Sequence, residues 1–225
     1  MLVPELLGWP IPSVGYIVLL HAGTLLALLI HFGKQLISAL RRDRRLIYLL
    51  AIATIPAAII GVLFERQFED SFGKPMQVAF QLMLTGLILV GAEVLARRRT
   101  ETATVKLTSV SALAIGFAQA ASIVPGISRS GATIGTGLVV GLDRAEATRF
   151  SFMLAIPILL GTSLYKVPEF SSSGLGAGAM VAGFIASLIS GYLAIAGMVG
   201  YLGRRGLYPF AAYCVIAGLL AVLTL

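Results

Sequence analysis

The sequence predicts an all-α, polytopic membrane protein, and three observations carry that prediction. Of its 225 residues 58% are apolar and only 12% charged, with a mean hydropathy of +0.95; a soluble core of this size does not need so much apolar sequence. The apolar residues gather into runs close to the ~20 that a bilayer core requires of one helix. The charges, 17 Lys and Arg against 10 Asp and Glu, fall mostly in short stretches between those runs. In a soluble chain a net charge of +7 would suggest nucleic acid. Here it reads as a topology signal with some attraction for anionic lipid headgroups, and no nucleic-acid partner is expected.

In chain order, six runs read as spanning helices: 13–32, 46–64, 76–96, 150–165, 177–202 and 207–225. The fourth is short and is expected to extend into its flanks. The basic stretch 33-GKQLISALRRDRR-45 separates the first two runs, and the acidic 65-ERQFEDSFGKP-75 separates the second from the third. After 97-RRRTETATVK-106 comes 107–142, too long for one pass, whose parts 107–124 and 131–142 are short for two. Pro125, Gly126 and Gly131 break it in the middle. The stretch 166-KVPEFSSSG-174 divides the fourth run from the fifth, and Arg204 with Arg205 precedes the last.

Loop charge decides the path of 107–142. If it dips in and returns to the same side, 13 cations lie inside and three outside, with Arg129 in the membrane. If it crosses, Arg144, Arg149, Arg204 and Arg205 move outside. The hairpin gives the better positive-inside pattern, so the segment is expected to be re-entrant from the cytoplasmic side. The chain then reads as one membrane domain of two halves, 1–106 with three spans and 107–225 with the hairpin and three spans. Three crossings per half would give inverted repeats, and by that logic a first hairpin is missing ahead of Pro10.

Arg129 is the only charged residue between Leu107 and Leu142. At bilayer depth an arginine costs at least ~2.5–3.5 kcal/mol on insertion scales, so something must satisfy its five donors. Its fork matches phosphate or carboxylate oxygens. Gly126 and Gly131 permit close backbone approach and Pro125 fixes the turn. A helix starting near Ser130 would aim amides at the same place, where Ser128, Ser130 and Thr133 add hydroxyls. The cluster describes an anion site that phosphate fits best. A structural reading stands beside it: Arg129 capping helix carbonyls at the hairpin tip while the serines cap the next helix.

The stretch Pro125-Gly126-Ile127-Ser128-Arg129-Ser130-Gly131-Ala132-Thr133 resembles the PGxSRSGAT signature of undecaprenyl-diphosphate phosphatases of the bacitracin-resistance type. The segment 150-FSFMLAIPILLG-161, and 2-LVPELLGWP-10 with 19-LLHAGTLLALL-29, are similar to the same family, so the resemblance covers the whole chain. It implies a multi-pass enzyme of the bacterial inner membrane. Such an enzyme hydrolyses undecaprenyl diphosphate to the monophosphate carrier and inorganic phosphate, for wall synthesis and bacitracin resistance. It implies Arg129 as phosphate clamp, Ser128, Ser130 and Thr133 as its catalytic hydrogen-bond partners, and Pro125, Gly126 and Gly131 as the substrate-binding backbone. The implied partners are the polyprenyl diphosphate and membrane lipids; a homodimer is compatible with the sequence.

The family's second motif, EGxTEFLPxSSxGH, has no match here; the chain begins where that motif would end. The expectation is either a start assigned too far downstream or a product lacking half of the site. The resemblance implies Mg2+ or Ca2+ held by that motif's glutamates, and no metal ligand is assigned in this chain. Glu93 and Arg97, four apart, read as a membrane-edge ion pair. Glu65, Glu69 and Asp70 read as a solvated loop, and Asp143, Arg144, Glu146 and Arg149 as a turn and helix start. His21 reads as a buried, satisfied histidine, with Glu5 near the absent motif and His31 and Trp9 at the interface. The single Cys214 allows no intrachain disulfide, and the first residues lack the features of a signal peptide. The rivals are a transporter or flippase of an anionic lipid, binding without hydrolysis at broken helices, and a non-catalytic scaffold.

Overall fold

The computed structural model describes residues 13–64, 75–98, 105–166, 176–202 and 205–224, and every regular element among them is a helix. These are α1 (Val14–Arg42), α2 (Arg44–Leu63), α3 (Pro75–Arg98), α4 (Ser109–Ala121), α5 (Arg129–Val139), α6 (Arg144–Tyr165), α7 (Ala177–Leu202) and α8 (Tyr208–Thr224). Five of them, α1, α2, α3, α6 and α7, are long and apolar enough to cross a membrane, and α8 is slightly shorter at 17 residues. The protein is an all-α, polytopic membrane protein. The expectations placed on Glu5, Trp9, the acidic stretch 65–70, the loop 167–175 and Arg204 fall outside the described residues.

One expectation is corrected. The stretch 33–45 is no loop: α1 continues to Arg42 and Asp43 alone separates it from α2. Gly33 does not interrupt it, and at 29 residues the helix is about 43 Å long, longer than a ~30 Å hydrocarbon core. Its basic last turn, Arg41 and Arg42, suits both the helix C-terminus and the headgroup region. Ser13 caps the other end, its hydroxyl accepting from the Tyr16 N–H.

The described helices gather into two compact units. One holds Pro12–Ala51 and Phe152–Tyr201. In it, α1 and α7 cross where Gly23 stands so near the Phe184 carbonyl that an added Cβ would lie 2.8 Å from it. At that crossing the Ser187 hydroxyl donates to the Leu20 carbonyl at 2.6 Å and pairs with Thr24 at 3.0 Å. Small residues and hydroxyls are the usual means of joining helices where lipid tails remove any hydrophobic drive. In the same unit Phe32 of α1 stacks on Phe152 of α6.

The other unit, Ile52–Ser151 with Leu202–Leu225, contains the broken segment. There α3 packs against both α8 and α5, and α5 against α4. The limbs α4 and α5, of 13 and 11 residues, are each too short to span. Their outer ends meet, because the Val105 N–H donates to the Gly141 carbonyl at 3.0 Å. The segment therefore returns to where it began, which is the expected hairpin. Each limb is closed by its own sequence. Thr108 and Ser111 form a reciprocal capping box on α4. Gly141, at φ +100, ends α5, with the Leu142 N–H bonded to the Gly137 carbonyl.

Candidate active site

The hairpin tip is a turn with a defined geometry. The Ile127 N–H donates to the Val124 carbonyl at 3.2 Å, with Pro125 and Gly126 between them and Gly126 at φ +93. Proline followed by a positive-φ glycine is the requirement of a type II turn. Gly126 is also pressed against α3: an added Cβ would lie 2.5 Å from the Val78 carbonyl and 2.8 Å from the Gln81 Cβ. Gly126→Ala is accordingly expected to destabilise the protein by about 1–3 kcal/mol, read as a lower midpoint of thermal unfolding in detergent.

Thr85, buried within α3, holds this turn. Its Oγ1 lies 3.1 Å from the Gln81 carbonyl and 3.2 Å from the Gly126 carbonyl, one hydrogen serving either, and accepts from the Ser128 N–H at 3.2 Å. One hydroxyl thus fixes the backbone on both sides of Ile127. The next helix, α5, starts at Arg129 rather than near Ser130, because Ser128 is its N-cap and its hydroxyl accepts from the Gly131 N–H at 3.2 Å. Arg129 is therefore the first residue of a helix whose free amides and positive dipole end share its location.

Arg129 is half-buried, and among the described residues its guanidinium has no hydrogen-bond or ion-pair partner. It caps no carbonyl there. The half-buried Ser130 hydroxyl is likewise without a partner among those residues. Ser128 does perform the capping role that the structural reading gave to a serine. Thr133 stands apart from the other three: it is 1% exposed. Its hydroxyl donates to the Arg129 carbonyl at 2.8 Å and is bonded to the Ser151 hydroxyl of α6. In this arrangement it steadies the first turn of α5 from behind and is sealed from a ligand. Gly131, buried, brings α5 within reach of Leu89 on α3.

A second polar cluster anchors the hairpin's exit. Glu93, 0% exposed, receives four donors. Arg144 grips it in two bonds of 2.7 and 2.8 Å, Arg97 adds one of 2.6 Å, and the Leu207 N–H one of 3.0 Å. The expected Glu93–Arg97 pair is present, but the bidentate Arg144 contact links α3 to the start of α6. Arg97 also lies over the Tyr208 ring, 5.0 Å from its centroid. Asp143, as expected of a helix start, accepts from the Glu146 N–H at 2.7 Å.

Among the described residues no group of three or more His, Cys, Asp or Glu could hold a metal ion. Glu93, the buried acid among the described residues of this unit, has its oxygens filled by the arginines and the Leu207 amide. The described residues supply no ready-made ligand cluster for the Mg2+ or Ca2+ implied by the resemblance. The chemistry available from them is that of a cation, helix amides and hydroxyls converging on an anion.

Thr85, Ser151 and the Glu93–Arg144 link were missed in the sequence. Within α3, Gln81, Thr85, Leu89 and Glu93 recur every fourth residue, one face of a helix. Three polar side chains on that face of an apolar span were the available signal, since such groups turn toward the protein interior.

Residues 1–220 match the family described as Bacitracin resistance protein BacA. A relative from Pelobacter propionicus is 37% identical over 235 residues, covering 97% of this chain and 85% of its own. One from Moorella thermoacetica is 36% identical over 230 residues, with 99% and 87% covered. One from Rubrobacter xylanophilus is 41% identical over 228 residues, with 92% and 82% covered. Each of the three is named undecaprenyl-diphosphatase. With a family match over nearly its full length and relatives this similar, the chain belongs to the BacA bacitracin resistance family.

Proposed function

We propose that this chain hydrolyses undecaprenyl diphosphate to undecaprenyl phosphate and inorganic phosphate in the bacterial inner membrane. That reaction recycles the lipid carrier of wall synthesis and confers bacitracin resistance. The observation that carries the reading is the half-buried guanidinium of Arg129 at the first turn of α5, which has no partner among the described residues. A cation kept at membrane depth without a partner among the described residues is matched to an anion that arrives from elsewhere. The terminal phosphoryl group of a lipid diphosphate has the oxygens to fill the guanidinium fork, the α5 amides and the Ser130 hydroxyl together.

Hydrolysis breaks the bond between the terminal phosphorus and the bridging oxygen, with water supplying the new oxygen. Charge moves onto the bridging oxygen and spreads over the equatorial oxygens. Donors fixed before the reaction stabilise that charge without reorganising. Thr85 and the Pro125–Gly126 turn hold the start of α5 in place, and Thr133 with Ser151 holds it from the other side.

The test is orthophosphate release from undecaprenyl diphosphate by the purified chain, with magnesium or calcium supplied. Release in step with monophosphate formation is expected. Transbilayer movement of intact diphosphate in vesicles, with no orthophosphate, would assign the site to a transporter instead.

A further inference from the structure

Within the unit that holds the hairpin, the buried side-chain nitrogen and oxygen atoms lacking a partner among the described residues all belong to Gln81 and Gln119. Gln81 lies against the turn from α3, and Gln119 stands in the last turn of α4, the helix that leads into it. Buried amides are almost always satisfied, so free ones beside a ligand site call for a ligand or water. Gln119 is 2% exposed and closed off. Gln81 is half-buried, with its Oε1 buried and unpartnered. Its Cβ lies against Gly126, so its amide leaves α3 directly beside the turn.

The separation from Arg129 has chemical content. Gln81 meets the turn at Gly126, while Arg129 and the α5 amides begin beyond Ser128. Between them Thr85 Oγ1 bonds both the Gly126 carbonyl and the Ser128 N–H. A single phosphate fills the cationic side. A diphosphate has a second phosphate linked to the first, and a neutral amide suits it: the orphaned Oε1 can accept only from a phosphate hydroxyl or a water on that phosphate, while the Nε2 of the same amide is the donor for a non-bridging oxygen. Being uncharged, it does not compete with Arg129 for the terminal phosphoryl group.

We propose that Gln81 contacts the lipid-proximal phosphate of the substrate and is thus a specificity residue for diphosphate over monophosphate headgroups. The inference rests on the hydrolytic reading above, yet its test does not depend on turnover. In the purified full chain, inorganic pyrophosphate and orthophosphate serve as probes, with thermal unfolding as the readout. Gln81→Met keeps length and loses the amide. It is expected to weaken the pyrophosphate effect about tenfold and leave the orthophosphate effect unchanged. Gln81→Glu should weaken pyrophosphate further, and Gln81→Asn should recover part of the loss. In turnover, Gln81→Met should raise KM more than it lowers kcat.

Equal weakening of both probes would mean that Gln81 only supports the turn, and no change in either would remove it from the site; both overturn the proposal. A wild-type chain whose unfolding neither probe moves overturns it too. Failure of the hydrolytic reading looks different, as wild-type protein that responds to both probes but releases no phosphate from the lipid.

Discussion

Arg129→Ala is expected to lower phosphate release from undecaprenyl diphosphate by about 10²–10³-fold in kcat, the usual loss when one preorganised donor to a developing oxyanion is removed. The expected change in stability goes the other way. The guanidinium makes no bond to the described residues, so truncation breaks none of them. It also lifts the cost, at least ~2.5–3.5 kcal/mol on insertion scales, of holding a cation at membrane depth. The midpoint of thermal unfolding should therefore hold or rise while activity collapses. Arg129→Lys keeps the charge but loses the planar fork and should recover only part of the rate. A midpoint that falls in step with activity in Arg129→Ala would return the residue to a structural role at the hairpin tip. The paired measurement separates a clamp from a cap, which activity alone does not.

How much of this was legible in the sequence depended on how local the cause was. The spans were readable because hydrocarbon imposes length and apolarity on each segment separately. The hairpin was readable because Pro125 and Gly126 dictate a turn through their own backbone preferences, and because loop charge records sidedness. Arg129 stood out as a candidate because nothing else charged lies near it in the chain. The end of α1 was misread for a physical reason: clustered cations mark where a helix leaves the hydrocarbon, not where it stops, and α1 runs on to Arg42. What holds the site was largely hidden. Thr85 meets Gly126 across 41 positions, Thr133 meets Ser151 across 18, and Glu93 meets Arg144 across 51. Apart from Gly126 in its turn, each partner taken alone is an ordinary residue in a helix. Only the spacing of Gln81, Thr85 and Glu93 on α3 hinted that this helix presents a polar face inward.

Glu93→Ala is expected to be the most destabilising single change considered, by about 3–5 kcal/mol, because it leaves Arg144 without the partner that its position requires. The loss is not confined to one ion pair. The same carboxylate holds the Leu207 N–H just before α8 and the Arg97 side chain at the end of α3, so three chain segments are released together. Arg144 opens α6 two residues after Leu142, where the hairpin leaves α5. A loosened exit should therefore move α5 and its first turn. Thermal unfolding in detergent measures the stability loss, and phosphate release well below the new midpoint measures the transmitted effect. Replacing both partners, Glu93→Leu with Arg144→Leu, removes the stranded charge along with its mate and should restore most of the stability. If the double variant is as unstable as the single one, the carboxylate's bonds to Leu207 and Arg97 carry the stabilisation, and the Arg144 pair is secondary. If it is stable but inactive, the pair's contribution is to hold the start of α5 in register with Thr85.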